Sequence, residues 1–152
     1  MHAHRGLHYR VRGFTLVEIM IVVAIIAMLA ALAYPNFLRV KLHGNETVAV
    51  ESLRTLSTAL ETYHGAQTPP DYPDGLEDLS DSVPPYVDSI VTSGTRQGYD
   101  FTYARIDESQ FTVNADPGNP GVTGVRGFYV DETGVIRGSD SGAADGSSPP
   151  LQ

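Results

Sequence analysis

Apolar residues change rhythm along this chain. From Phe14 to Tyr34 the run FTLVEIMIVVAIIAMLAALAY is apolar on every side, broken only by Thr15 and Glu18, with no Gly or Pro. About 20 residues rising 1.5 Å each cover about 30 Å, the hydrocarbon thickness of a bilayer. Beyond Pro35, Val48, Ala49, Leu53, Leu56, Leu60 and Tyr63 recur at helical spacing, with Glu46, Glu51, Arg54 and Glu61 interleaved. That pattern is an amphipathic helix with one apolar face. Together the two halves predict one long helix over about 14–64. It is softened at Pro35, where a backbone hydrogen bond is lost, has a second soft point at Gly44-Asn45, and stops at His64-Gly65.

Residues 65–97 are rich in Pro, Gly and Asp and read as a long connection, with a short helix over Leu76 to Asp81. Its length marks it as a functional surface loop. Period-two alternation then takes over. Tyr99, Phe101 and Tyr103 alternate with polar or small residues, as do Phe111, Val113 and Ala115. Gly127-Phe128-Tyr129-Val130 and Val135-Ile136-Arg137 flank the turn signal Asp131-Glu132-Thr133-Gly134. These are three or four antiparallel strands over 98–137 with one apolar face. The amphipathic half of the helix offers the matching face, so the expected fold is α+β, a long N-terminal helix packed across a small antiparallel sheet. Residues 138–152 are low in complexity and read as a mobile tail.

Charge sharpens this picture. The first 13 residues carry Arg5, Arg10 and Arg12 and no acid, whereas the rest carries seven Lys/Arg against 18 Asp/Glu, a formal −11. A basic flank before an apolar run belongs in the cytoplasm, which puts the acidic head on the far side of the membrane. An acidic head is a poor match to nucleic acid, so no direct nucleic-acid binding is expected. With no cysteine, disulfides and Cys-ligated metals are excluded. His2, His4 and His8 read as solvated leader residues, and His43 and His64 stand singly near helix breaks, so no catalytic constellation is visible. Asp116, Asp131 and Glu132 near the strand turns are weak calcium candidates, and Asp140 and Asp145 weaker ones, because the closing Glu of a calcium loop is missing.

Glu18 is the costly residue, an acid inside a membrane-competent segment. Residues 1–34 admit three readings. One is a signal peptide cut after Ala31-Leu32-Ala33, which would release an exported soluble binding domain. Another is a plain membrane anchor with Glu18 near the interface. The third is a cut between Gly13 and Phe14. That cut removes the three arginines and creates an amine at Phe14, one helical turn from Glu18. A charged pair among apolar helices sets register, because misregistered helices leave both charges unpaired. The third reading explains most.

The stretch Gly13-Phe14-Thr15-Leu16-Val17-Glu18, with its basic leader, apolar helix and Pro35, resembles the type IV prepilins and the pseudopilins of type II secretion. The resemblance covers residues 5–64. It implies a cleaved leader 1–13, a membrane-spanning and filament-core helix 14–34, its amphipathic continuation 35–64 and an αβ loop 65–97. It also implies cleavage after Gly13 by a prepilin peptidase, N-methylation of Phe14 and pairing of Glu18 with a neighbour's amine. Pro35 would mark the part of the helix that can loosen. The implied product is a homopolymer, a type IV pilus-like filament, with a major pseudopilin as the alternative. The implied partners are the peptidase and methyltransferase, an inner-membrane assembly platform, minor pilins, and membrane lipid before assembly. The implied location is a single-pass inner-membrane protein, then an extracellular or periplasmic filament. Asp74-Gly75-Leu76-Glu77-Asp78-Leu79, Pro84-Pro85-Tyr86-Val87 and Gly98-Tyr99-Asp100 resemble major pseudopilins, which implies calcium where other members have a disulfide.

Overall fold

The computed structural model describes residues 13–151. Two compact units meet after Phe37. The helix α1 (Leu16–Ala66) belongs to both and is helical without interruption across Pro35. In the first unit every described residue is exposed, including Leu16, Ile19, Ile25, Leu29 and Phe37. Proline lacks the N–H that would bond four residues back. Next to it, the Asn36 amide nitrogen donates to the Leu32 carbonyl at 3.4 Å.

The second unit is the head. Here α1 buries Ala49, Ser52, Leu53, Leu56, Ala59 and Leu60, one face at helical spacing. Against it lies a five-stranded antiparallel meander in chain order: β1 (Thr95–Arg96), β2 (Tyr99–Arg105), β3 (Phe111–Pro117), β4 (Gly127–Asp131) and β5 (Arg137–Ser139). Register places Tyr103 opposite Val113, Val113 opposite Val130, and Ala115 opposite both Phe101 and Phe128. Alternation therefore stacks the apolar side chains on one face, where Tyr99, Phe111, Val113, Phe128 and Val130 meet Leu53, Leu56 and Leu60. Gly127 is required by packing: its N–H donates to Gly142 O at 3.0 Å, and a Cβ there would fall onto that carbonyl.

The connection after α1 is built rather than loose. It holds α2 (Glu77–Asp81) and α3 (Ser89–Thr92), which seat Leu79 and Val91 in the core. The Asp88 carboxylate caps α3 by accepting the Ile90 N–H at 2.9 Å. Arg105 grips Asp71 through three guanidinium–carboxylate bonds of 2.6, 2.8 and 3.0 Å, and the Tyr103 hydroxyl donates to Pro73 O at 2.7 Å.

Three expectations from the sequence are corrected. Residues 138–151 do not form a mobile tail: Ala144 is buried, and Leu151 packs on the core. Gly138 N–H donates to Pro149 O at 3.0 Å and Leu151 N–H to Ile136 O at 2.9 Å, so the tail covers the β5 edge. Composition missed this because backbone groups make most of the bonds. The last strand lies over Arg137–Ser139 rather than Val135-Ile136-Arg137, because the turn after Asp131 consumes more residues. Gly44-Asn45 is not a soft point, since both residues are helical and Asn45 is buried.

Candidate assembly site

At the start of α1, Thr15 and Glu18 bond each other reciprocally. One Glu18 carboxylate oxygen, Oε2, accepts both the Thr15 N–H at 2.8 Å and the Thr15 hydroxyl at 2.9 Å. The Glu18 N–H donates to the Thr15 hydroxyl oxygen at 3.2 Å. This is a capping box: a hydroxyl residue and a carboxylate three positions later satisfy orphan donors of the first turn. The signal Thr-x-x-Glu stands openly in the sequence, beside the more conspicuous need of Glu18 for a charged partner. Gly13 and Phe14 lie just outside the helix and are exposed, with open space around the Gly13 Cα. Chemically, the site is an accessible peptide bond next to a carboxylate already held one residue from it. The apolar stretch that follows is long and apolar enough to cross a membrane, and none of it is buried.

A second constellation pins the head to the helix. Glu46, expected on the polar face, is buried. Its Oε1 accepts the N–H groups of Val125 and Arg126 at 3.2 and 3.3 Å. Beside it, the Asn45 amide donates to Thr123 O at 2.7 Å. Two polar side chains of α1 thus hold the β3–β4 loop, which leaves no room for a hinge at Gly44-Asn45. Nothing local distinguishes Glu46 from Glu51 or Glu61; its partners are about 80 residues away in the chain.

The weak calcium candidates do not converge. Asp116 sits at one end of the β3–β4 ladder and Asp131 at the other, four positions and roughly 13 Å apart at the rise of a strand. Asp131 closes a turn by accepting the Thr133 N–H at 3.0 Å, and Glu132 is exposed. Asp116 pairs across the ladder with Asp100. Burial, and then the Asp100 charge, hold its carboxyl above the usual aspartate range. The Asp145 carboxylate caps its own turn through the Ser147 N–H at 2.8 Å, while Asp140 is fully exposed. Among the described residues no group of three His, Cys, Asp or Glu could hold a metal.

Comparison with known proteins bears on the same N-terminal stretch. Residues 9–34 match the prokaryotic N-terminal methylation motif. Over this stretch the chain is similar to type IV pilins and to type II secretion pseudopilins. It is 48% identical over 54 residues to the type IV major pilin protein PilA of Myxococcus xanthus, covering 36% of this chain and 24% of the relative. It is 44% identical over 55 residues to type II secretion system core protein G of Pectobacterium carotovorum, covering 36% and 35%. The Escherichia coli core protein G matches over a longer stretch, 35% identical over 89 residues, or 58% of this chain and 60% of the relative. The chain therefore spans between 24% and 60% of the length of these relatives. No solved structure matches it. The prepilin motif thus coincides with the capping box and the unburied helix.

Proposed function

We propose that this prepilin-type chain is a structural subunit of a type IV pilus-like filament, cut between Gly13 and Phe14, methylated on the new Phe14 amine and polymerised from the inner membrane. One observation carries the reading: an unburied apolar helix that begins at a carboxylate poised beside the family's cleavage position. In the uncut chain Thr15 satisfies that carboxylate locally. Cutting creates an ammonium one residue before Thr15. A charge-assisted bond to an ammonium is roughly twice as strong as one to a neutral donor, so the carboxylate can exchange its cap for the amine of a neighbouring subunit. Apolar packing between helices, on the order of 25 cal/mol per Å² buried, supplies the assembly energy, and Glu18 supplies register. The prepilin peptidase, the assembly platform and minor pilins are the partners this scheme requires, and the anchor lies in the inner membrane before assembly.

A second reading, the major pseudopilin of a type II secretion system, is favoured by one observation. The similarity to E. coli core protein G extends over 58% of this chain, past the helix and into the head. Surface shearing separates the two: abundant sheared filaments support the pilus, whereas secretion loss on deletion without sheared filaments supports the pseudopilus. Mass spectrometry of the mature N-terminus tests both at once. N-methyl-Phe14 is expected, and a chain starting at Tyr34 would instead be an exported soluble domain.

A further inference from the structure

Where α1 enters the head, Arg39, Leu42, His43 and Glu46 line an open groove of about 450 Å³ with Val125, Arg126 and Asp140. Its apolar part is exposed: Val125 is 43% accessible. One wall is rigid, because Glu46 holds the Val125 and Arg126 backbone. Two arginines, exposed Arg39 and half-buried Arg126, border the groove, while Glu46 is spent on the Val125 and Arg126 backbone. Asp140 offsets this only weakly, reaching Arg126 at 4.0 Å while fully exposed.

The far end of the head carries the opposite shape and charge. Between α2 and α3 the chain projects Val83-Pro84-Pro85, with Val83 98% exposed and Ile90, in α3, 62% exposed. Exposed Asp81 and Asp88 flank this tip, and no Lys or Arg occurs from Thr55 to Thr95. Tyr86, next to the tip, lies beside Ala59 and Thr62. Those positions are 17 and 20 residues along α1 from Leu42, about 26–30 Å away. Knob and groove cannot meet within one copy, but two copies shifted along α1 by that distance bring them together. Such a contact is heterologous, since each copy offers a groove to one neighbour and a knob to the next, and it propagates instead of closing.

We propose that the Val83-Pro84-Pro85 tip of one copy docks into the Leu42–Val125 groove of the next, with Asp81 and Asp88 facing Arg39 and Arg126. The contact rests on the filament reading and names the head surface that the filament uses. Apolar insertion supplies the seat, and the opposed charges set its orientation and make it salt-sensitive.

The chain has no cysteine, so introduced thiols report this contact alone. Val83→Cys with Val125→Cys in the full-length chain, oxidised mildly in cells that produce it, should give a ladder of disulfide-linked multimers, whereas either single variant stops at dimers. Arg39→Glu should reduce filament yield at least tenfold, and adding Asp81→Lys should restore most of it. Filaments without a ladder, or without rescue, overturn the docking and leave the filament reading standing. A ladder without filaments supports the docking and removes the filament reading. Neither ladder nor filaments removes both.

Discussion

Glu18 caps its own helix through Thr15. On the proposed cleavage, the Phe14 ammonium competes with Thr15 for that carboxylate. Glu18→Ala should therefore leave membrane insertion and cleavage intact and cut filament yield sharply; wild-type yield would refute the assembly role. Glu46 does a different task with the same chemistry, accepting two backbone N–H groups in a buried place. Glu46→Leu leaves both donors without a partner and should cost about 1–3 kcal/mol of head stability, read as a lower thermal midpoint of the solubilised chain. Glu46→Gln keeps an acceptor oxygen and should cost less. Asp116 is stabilised in its protonated form by burial and by Asp100. Its folded value lies above the unfolded one, so its ionisation lowers stability as pH rises from the ordinary aspartate value through the folded value. Asp116→Asn should raise the midpoint at neutral pH, and the gain should shrink towards about pH 4. An equal gain at both pH values would rule out ionisation as the cause.

At the scale of elements, α1 is one helix with two solvents. Residues 16–37 expose apolar side chains all round, whereas from Asn45 to Leu60 one face is buried against the sheet. Leu53 is fully enclosed between α1 and the sheet, so Leu53→Ala should cost about 2–5 kcal/mol, measured by denaturant unfolding of the solubilised chain. Strand alternation was legible because each strand has one wet and one dry face: β3 alternates at every position. The tail was not legible. Its Gly, Ser and Asp side chains resemble disordered sequence, yet its backbone pairs with β5 and Asn114 donates to Ala144 O at 2.7 Å. Truncation after Ser139 should therefore destabilise the head, with faster proteolysis at β5; unchanged proteolysis would show that the tail is dispensable.

On the scale of the whole molecule, the chain separates a membrane-competent unit from a folded acidic head. The apolar span, the amphipathic face and most strands could be read from the sequence, because each depends on neighbours within a turn or two. Thr15 and Glu18 are three residues apart, and the helical repeat alone brings them together. Glu46 and Val125 are 79 residues apart, and only the packing of the sheet on α1 makes them partners. The same holds for the groove, whose helix and loop come from distant parts of the chain. The sequence by itself therefore determined the membrane-competent span, the Thr15–Glu18 cap and the amphipathic face, since the local periodicity decides those features. Only the tertiary structure decided which acid is buried, where the tail lies and which surfaces are open to a neighbour, because distant backbone groups decide them.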